Sequence, residues 1–323
     1  MPKISIITTA YKHQDFIIYT IESVLSQTFT NWELLIGDDS PDNETWNIIQ
    51  EYVNKYPDKI KAWHHKPNKG IVDNMNFLLE KVSNKSKYIA FLEGDDMFTL
   101  DNLEEKIKVF EKYKDIKLVY SDLSFINAKN EIILESFFKQ RNIKFYQNEI
   151  IPKDEFILAP AGPIASWSTS MIKKEILNEI KIINLEPGNK KYSVSDYDLY
   201  FRIATKNKIY GINKSLTQYR RHSGNLSGSN GGTSDDLDKL IDYYYQNKII
   251  DSNTYNNKKS WTKIVSAIFS LEIGNKKSAL ENLKNSLKYN FLSFPIYKLA
   301  IIFFLIMPNT LNKLILKKLI KRG

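Results

Sequence analysis

Tyr88-Ile89-Ala90-Phe91-Leu92-Glu93-Gly94-Asp95-Asp96 sets five apolar residues directly against three carboxylates. A short apolar run bounded by a turn signal reads as a buried strand, here stopped abruptly by charge. Working outward, Ile4-Ser5-Ile6-Ile7 is a β-branched run. Ile17, Ile21, Val24 and Leu25 then recur at helical spacing, with Asp15 in position to cap that helix. Leu34-Leu35-Ile36 is a second strand, followed by the turn-forming Gly37-Asp38-Asp39-Ser40-Pro41-Asp42-Asn43. Helices are predicted over 44–56, 71–82 and 103–113, and a strand at Leu118-Val119-Tyr120. This order implies an α/β fold, a mostly parallel sheet flanked by helices. Ligands of such sheets bind beyond the carboxyl ends of the strands, where the acids at 38–39 and 93–96 fall.

Residues 127–195 read as irregular, and a helix is predicted over 196–206. The Gly-, Ser- and Asn-rich 227–236 reads as a flexible loop. A helical extension over 237–293 contains a hairpin, 261–273 and 277–289, turning at Gly274. Residues 294–323 form a basic amphipathic tail.

The 323 residues include 46 Lys+Arg and 37 Asp+Glu, a net charge of +9, and no cysteine. Disulfides, thiolate metal sites and a cysteine nucleophile are therefore excluded, and a reducing compartment fits. No signal peptide is read at the N-terminus. Residues 295–323 hold six of the cations and no acid; the remaining 294 residues balance 40 bases against 37 acids. A phosphate-tracking fold would spread its charge over a binding face, so nucleic acid is not the expected partner. The apolar run 294–307 is interrupted by Pro295 and Lys298 and falls short of the ~20 residues of a bilayer span. Residues 311–321 separate Leu311, Leu314, Ile315 and Leu319 from Lys313, Lys317 and Lys321, the pattern of an interfacial helix drawn to an anionic membrane. A core-packed helix or a homo-oligomer contact is the other reading.

Each polar cluster has a plain and a chemical reading. Glu93-Gly94-Asp95-Asp96 is either a solvated turn or a hard-oxygen site for Mg²⁺ or Mn²⁺. Asp38-Asp39 is either an Asx-turn or a nucleoside acceptor pair. Asp196 is either a helix cap or a carboxylate base. Tyr219-Arg220-Arg221-His222 is either a basic turn or a diphosphate clamp with one imidazole metal ligand. His64-His65 reads as structural.

Taken in order, these segments resemble family 2 glycosyltransferases of the GT-A fold, of the type that builds bacterial surface polysaccharides. The resemblance rests on 4–11, on 21–29, on Trp32-Glu33-Leu34-Leu35-Ile36-Gly37-Asp38-Asp39, on Asn68-Lys69-Gly70, Asn76 and 88–96, and on Tyr197-Asp198-Leu199-Tyr200-Phe201-Arg202 with 219–222. It covers about 1–226, taken as the GT-A domain. It implies inverting transfer of a sugar from a nucleotide-sugar donor to a hydroxyl of a glycan or lipid-linked acceptor. Thr9, Ala10, Tyr11 and Asp39 would hold the nucleoside, a uracil-type base being favoured. Asn76, Asp96, Arg220 and Arg221 would lie along the donor. Glu93 would bind ribose or metal, Asp95 and His222 a divalent Mn²⁺ or Mg²⁺, and Asp196 would be the general base. Such an enzyme is expected to be cytoplasmic, peripheral at the inner face of the cytoplasmic membrane. The chain departs from the family pattern at Glu93 (usually Asp), Ser195 (commonly Glu) and Met75 (Arg in many relatives). A non-catalytic nucleotide-sugar or carbohydrate-binding module on the same fold is the alternative.

Overall fold

The computed structural model describes residues 3–140, 148–151, 156–157, 164–178, 194–225 and 232–307. The first half follows the predicted alternation: β1 (Lys3–Ala10), α1 (Ile17–Leu25), β2 (Trp32–Asp38), α2 (Glu44–Lys55), β3 (Ile60–His64), α3 (Ile71–Lys81) and β4 (Ser86–Phe91). A two-residue β5 (Met97–Phe98), α4 (Asn102–Lys112), β6 (Ile116–Ile126), β7 (Ile132–Leu134) and a one-turn α5 (Phe137–Gln140) follow. Then come β8 (Glu149–Ile151), a 3-10 turn at Trp167–Thr169, β9 (Ser170–Lys173), α6 (Ser195–Lys206) and β10 (Lys208–Arg220).

The ten strands form one sheet in the order β3-β2-β1-β4-β9-β6-β10-β5, with β7 on β6 and β8 on β10. Strands β3, β2, β1 and β4 pair in parallel, as do β6 and β10. Strand β9 runs antiparallel between β4 and β6, so the two parallel groups point the same way. The sheet is therefore mixed but dominated by one direction. Its central strands are covered on both faces, which is why they read as continuous apolar runs rather than alternations. Ile4, Ile6, Leu34 and Ile36 share one face with Ile17, Ile21 and Val24 of α1 and with Ile49 of α2, while α3 packs over β1 and β2.

Several local expectations change. Asp15 does not cap α1: Phe16 holds the N-cap position without a side-chain bond, and the amides of Phe16 and Ile17 turn onto the carbonyl of His13. Strands β3, β9 and β10 lie in stretches not read as strands. β10 (KIYGINKSLTQYR) carries Gly, Asn and Lys and shows no clean two-residue period; pairing with β6 along its length overrides that weak preference. Pairing on both sides orders the four residues of β9 in the same way.

The chain divides into two compact units, Met1–Phe156 with Gly162–Asn225, and Ile157–Ala161 with Leu226–Gly323. The second contains α7 (Gly232–Gln246), α8 (Ser252–Glu272), α9 (Lys276–Tyr289) and α10 (Pro295–Ile306). Helix α7 begins inside the segment read as a loop. Residues 308–323, including the predicted amphipathic helix 311–321, lie outside the described residues. The α8–α9 hairpin turns at Gly274, whose φ of 83° is the left-handed conformation glycine accepts without a Cβ penalty. Ile264, Ala267, Leu271, Ala279 and Leu283 form a separate core with Ile301 and Phe304 of α10.

Because β9 joins the two parallel groups, its buried Met171 should matter more than an edge residue. Met171→Ala is expected to cost about 2–5 kcal/mol in chemical denaturation. Ile133→Ala on the exposed β7 should cost less than about 0.5 kcal/mol.

Candidate active site

The carboxyl ends of β1, β2 and β4 meet where open α/β sheets bind ligands. The amide of Asp39 bonds to the carbonyl of Ala10 (2.9 Å), and that of Gly94 to the carbonyl of Thr9 (2.9 Å). Thr9 and Ala10 are buried, whereas Tyr11 is 47% exposed and free to meet a ligand. Lys12 adopts a φ of 56°, and its amide bonds to Ser40 Oγ (2.8 Å), which turns the chain sharply after Tyr11. A Cβ on Gly94 would lie 2.7 Å from His13 Nδ1 and 2.9 Å from the Thr9 carbonyl, so the acidic turn approaches β1 only because residue 94 has no side chain.

The two acids after β2 divide their tasks. Asp38 Oδ1 accepts from the amide (3.0 Å) and hydroxyl (2.6 Å) of Ser40, forming the Asx-type turn. Its burial holds the carboxyl above the usual range, with Ser40 opposing. Asp39 reaches the next loop, accepting from Lys69 N (3.2 Å), Gly70 N (2.9 Å) and His65 Nδ1 (3.0 Å). His64 Nε2 lies 3.8 Å from Asp38. The two histidines thus back the two carboxylates, consistent with their structural reading.

In the Glu93–Asp96 turn Asp95 and Asp96 are buried and Glu93 half-buried, and none of its acids sits at the N-cap of α4, which is Asp101. Asp96 is fully buried. It accepts from Ser168 Oγ (2.6 Å) and the amide of Arg220 (2.9 Å). Glu93 accepts from Ser166 Oγ (3.0 Å), while its own amide donates to Ser168 Oγ (3.0 Å). Burial first, and the neighbouring carboxylates second, push both Glu93 and Asp96 well above the ordinary carboxyl range. Asp95 behaves oppositely. Its burial is outweighed by His13 and His222, and its pKa falls below the usual value. Asp95 Oδ2 receives His222 Nε2 at 3.0 Å and Asn225 Nδ2 at 3.3 Å, with His13 Nε2 at 3.9 Å.

Asp196 stands in the first turn of α6 and is not its cap, since Val194 holds that position. Its Oδ1 accepts the amide of Tyr197 (2.7 Å), and burial raises its pKa to about 6. Its charge is among those raising Glu93, which puts the two carboxyls within electrostatic reach. The helix is anchored from behind: the hydroxyls of Tyr200 and Ser170 bond at 2.5 Å, and Trp167 packs between Phe91 and Tyr200. Asp198 is held bidentately by Arg202.

The arginine pair separates. Arg220, expected along the donor, is fully buried. Its guanidinium donates to the carbonyls of Asp95 (2.7 Å) and Asn127 (3.0 Å) and to Asn130 Oδ1 (2.6 Å), over the ring of Phe16. In this arrangement it braces the acidic turn. Arg221 is exposed, its guanidinium 4.2 Å above Phe125. Asn76 is half-buried on α3, and Met75 is buried in the core, so Met75 offers no substitute donor for the diphosphate. His13, Ser166, Ser168 and Asn225 were not legible as site residues. The Ser166-Trp167-Ser168 stretch carries no signal beyond two hydroxyls, and only its contact across the sheet gives it meaning.

Among the described residues no group of three or more His, Asp and Glu side chains is arranged to hold a metal. Asp95 and His222 nevertheless present two converging donors 3.0 Å apart. A carboxylate with an imidazole suits Mn²⁺ better than Mg²⁺, and such ions normally take their other ligands from substrate oxygens and water. The donor set therefore fits a divalent cation completed by a diphosphate.

If Arg220 is a brace, Arg220→Lys should lower stability by about 2 kcal/mol or more, because the carbonyls of Asp95 and Asn127 lose their donors. The loss should appear in unfolding midpoints with and without nucleotide alike. A defect confined to nucleotide binding would contradict the bracing role.

The sequence model of Glycosyl transferase family 2 matches residues 5–181. The UDP-Glc:alpha-D-GlcNAc-diphosphoundecaprenol beta-1,3-glucosyltransferase WfaP of Escherichia coli is 30% identical over 232 residues, 71% of this chain and 81% of WfaP. Against some curated relatives the chain spans only 30–42% of their length. Among solved structures, Staphylococcus aureus TarS 1–349 in complex with UDP-GlcNAc superposes with a TM-score of 0.66 at 13% identity, over 97% of this chain and 89% of that one. The mannosyltransferase PcManGT of Pyrobaculum calidifontis, in complex with GDP-Man and Mn²⁺, gives 0.55 at 12% identity, over 99% and 86%. The mixed sheet with flanking helices is the GT-A architecture, and the chain belongs to glycosyltransferase family 2.

Proposed function

We propose that this glycosyltransferase is inverting, and that it moves a hexosyl or N-acetylhexosaminyl group from a UDP-sugar to a hydroxyl of a glycan or lipid-linked oligosaccharide. The observation that carries the reading is Asp196, a buried carboxyl in the first turn of α6 that accepts the amide of Tyr197 and is pushed up to about 6 by its burial. A base whose pKa lies near the working pH is ionised yet still basic enough to take a hydroxyl proton.

The nucleoside lies across Thr9, Ala10 and Tyr11, with Asp39 accepting from the base. The diphosphate lies over Gly94 and Asp95, towards Arg221 and Asn76. Asp196 removes the acceptor proton as the acceptor oxygen attacks the anomeric carbon from the face opposite the diphosphate. The new C–O bond forms while the bond to the diphosphate oxygen breaks, so configuration inverts and no covalent enzyme intermediate is needed. Asp96, fixed by Ser168 and with its pKa raised by burial, lines the sugar or acceptor side. A divalent cation held by Asp95 and His222, with Glu93 at its margin, would neutralise charge on the leaving diphosphate.

The UDP-GlcNAc complex of TarS supports a uridine donor. The diphosphoundecaprenol named for WfaP supports a lipid-linked acceptor. No described helix is long and apolar enough to cross a membrane. With the basic 308–323, this favours a peripheral protein at the inner face of the cytoplasmic membrane, bound through its tail.

Asp196→Asn should reduce transfer by about 10²–10⁴-fold with donor binding unchanged by calorimetry. In the parent, transfer should rise with pH through about 6 and level above it. A carboxyl raised from 3.8 destabilises the fold as pH climbs from its unfolded value to about 6. The Asn variant should therefore melt no lower than the parent at pH above 6. Near-parental transfer by the variant would remove Asp196 as base.

A further inference from the structure

Pro295 and Lys298 interrupt the apolar run 294–307 in sequence but not in space. Pro295 is the first residue of α10, where a missing amide costs nothing. Lys298 is 4% exposed, and its ammonium donates to the carbonyl of Asn290, just past the end of α9. Lys276 does the converse, donating to the carbonyls of Leu305 and Met307 at the end of α10. Both cations near this helix are thus drawn inward onto carbonyl groups. Lys298, Ile301 and Phe304 make the buried side.

The outer side is uncharged. Ile296, Leu299, Phe303 and Ile306 follow one another at i, i+3, i+7 and i+10, a single stripe along the helix. With Phe291 and Leu292 just before it, these six side chains are between 56% and 81% exposed. At that exposure they present roughly 600 Å² of apolar surface, at the upper end of the largest patch on an ordinary soluble monomer (about 300–600 Å²). Helix α10 has 12 residues and is too short to span a bilayer.

We propose that this stripe is a membrane-docking face that inserts shallowly into the headgroup–acyl boundary of an anionic bilayer. The inference rests on the peripheral reading of the tail and extends it to a folded element. The charge pattern selects the occupant. Residues 308–323 directly follow the helix and carry Lys313, Lys317, Lys318, Lys321 and Arg322 with no acid. A bilayer with anionic headgroups supplies an apolar layer for the stripe and negative charge for those cations together. A second copy of the chain supplies only the first. Tyr297, 47% exposed beside the stripe, has the amphipathic ring favoured at a membrane interface.

The test uses the full chain and flotation on vesicles of phosphatidylcholine with or without phosphatidylglycerol. The double variant Leu299→Glu/Phe303→Glu replaces two exposed residues and should leave nucleotide-induced thermal stabilisation unchanged. Its partition onto the anionic vesicles should fall by about tenfold or more. A second variant, Lys317→Gln/Lys318→Gln, should weaken binding moderately and flatten its salt dependence, reading the tail independently. If the tail variant loses binding while the stripe variant floats like the parent, the docking face is overturned and the tail reading stands. If both float like the parent, both fall. If the stripe variant converts a lipid-free dimer into a monomer with vesicle binding unchanged, the face belongs to a second copy and the proposal is overturned.

Discussion

Three carboxyl groups at the end of one buried strand raise the cost of one another's ionisation. Unit charges a few ångströms apart repel by several kcal/mol even at an effective dielectric of about 20. The fold answers this by favouring charge on one and opposing it on two. Asp95 keeps its charge because His222 and His13 face it. Glu93 and Asp96 are held high in pKa and given hydroxyl partners, Ser166 and Ser168, which bond a carboxyl in either state. Arg220 adds a buried cation that bonds to backbone carbonyls instead of to the acids' oxygens. Much of the second half of the first unit has its place through this arrangement. Strand β10 brings Arg220 beside the turn, and β9 carries the serines just ahead of it.

This dependence explains what sequence could convey. Apart from β3, the βαβ alternation through β4 was legible because each strand is a compact apolar run and each helix repeats at 3–4 residues. The acidic turn and Asp196 were legible as chemistry because acids beside an apolar strand or at a helix start are informative locally. Strands β9 and β10 were not, because their pairing is settled by neighbours more than 30 residues away. His13 and Ser168 escaped for the same reason: each matters only through a partner across the sheet. Arg220 shows the opposite error. Its residue type and neighbours suggest phosphate, but a guanidinium sealed among Asp95, Asn127 and Asn130 is occupied by carbonyl groups.

The net charge of +9 is equally a matter of place. The first 294 residues are close to balanced. In the second unit, the lysines nearest the apolar stripe of α10 are turned inward to end helices α9 and α10 favourably. Sequence hydropathy treats Lys298 as a break in the run. Folded, the same residue leaves the outer face free of charge, because its long side chain sends the ammonium to the carbonyl of Asn290 just past the end of α9.

A general base also needs a fixed position, since an error near 1 Å can cost about 10²-fold in rate. Helix α6, which carries the proposed base, is placed by what lies behind it. Tyr200 supplies that backing. Its hydroxyl is tied to Ser170 on β9, and its ring packs on Trp167, which packs on Phe91 of β4. Phe91 is two residues from Glu93 and four from Asp95. The same 3-10 turn that carries Trp167 also carries Ser168, which bonds to Asp96 and to the amide of Glu93. The acidic turn and Asp196 therefore take their positions from one rigid piece of the sheet. A donor anchored at Asp95 and an acceptor proton directed to Asp196 are set in register by Trp167 and Ser168, two residues that touch neither substrate in the proposed reaction.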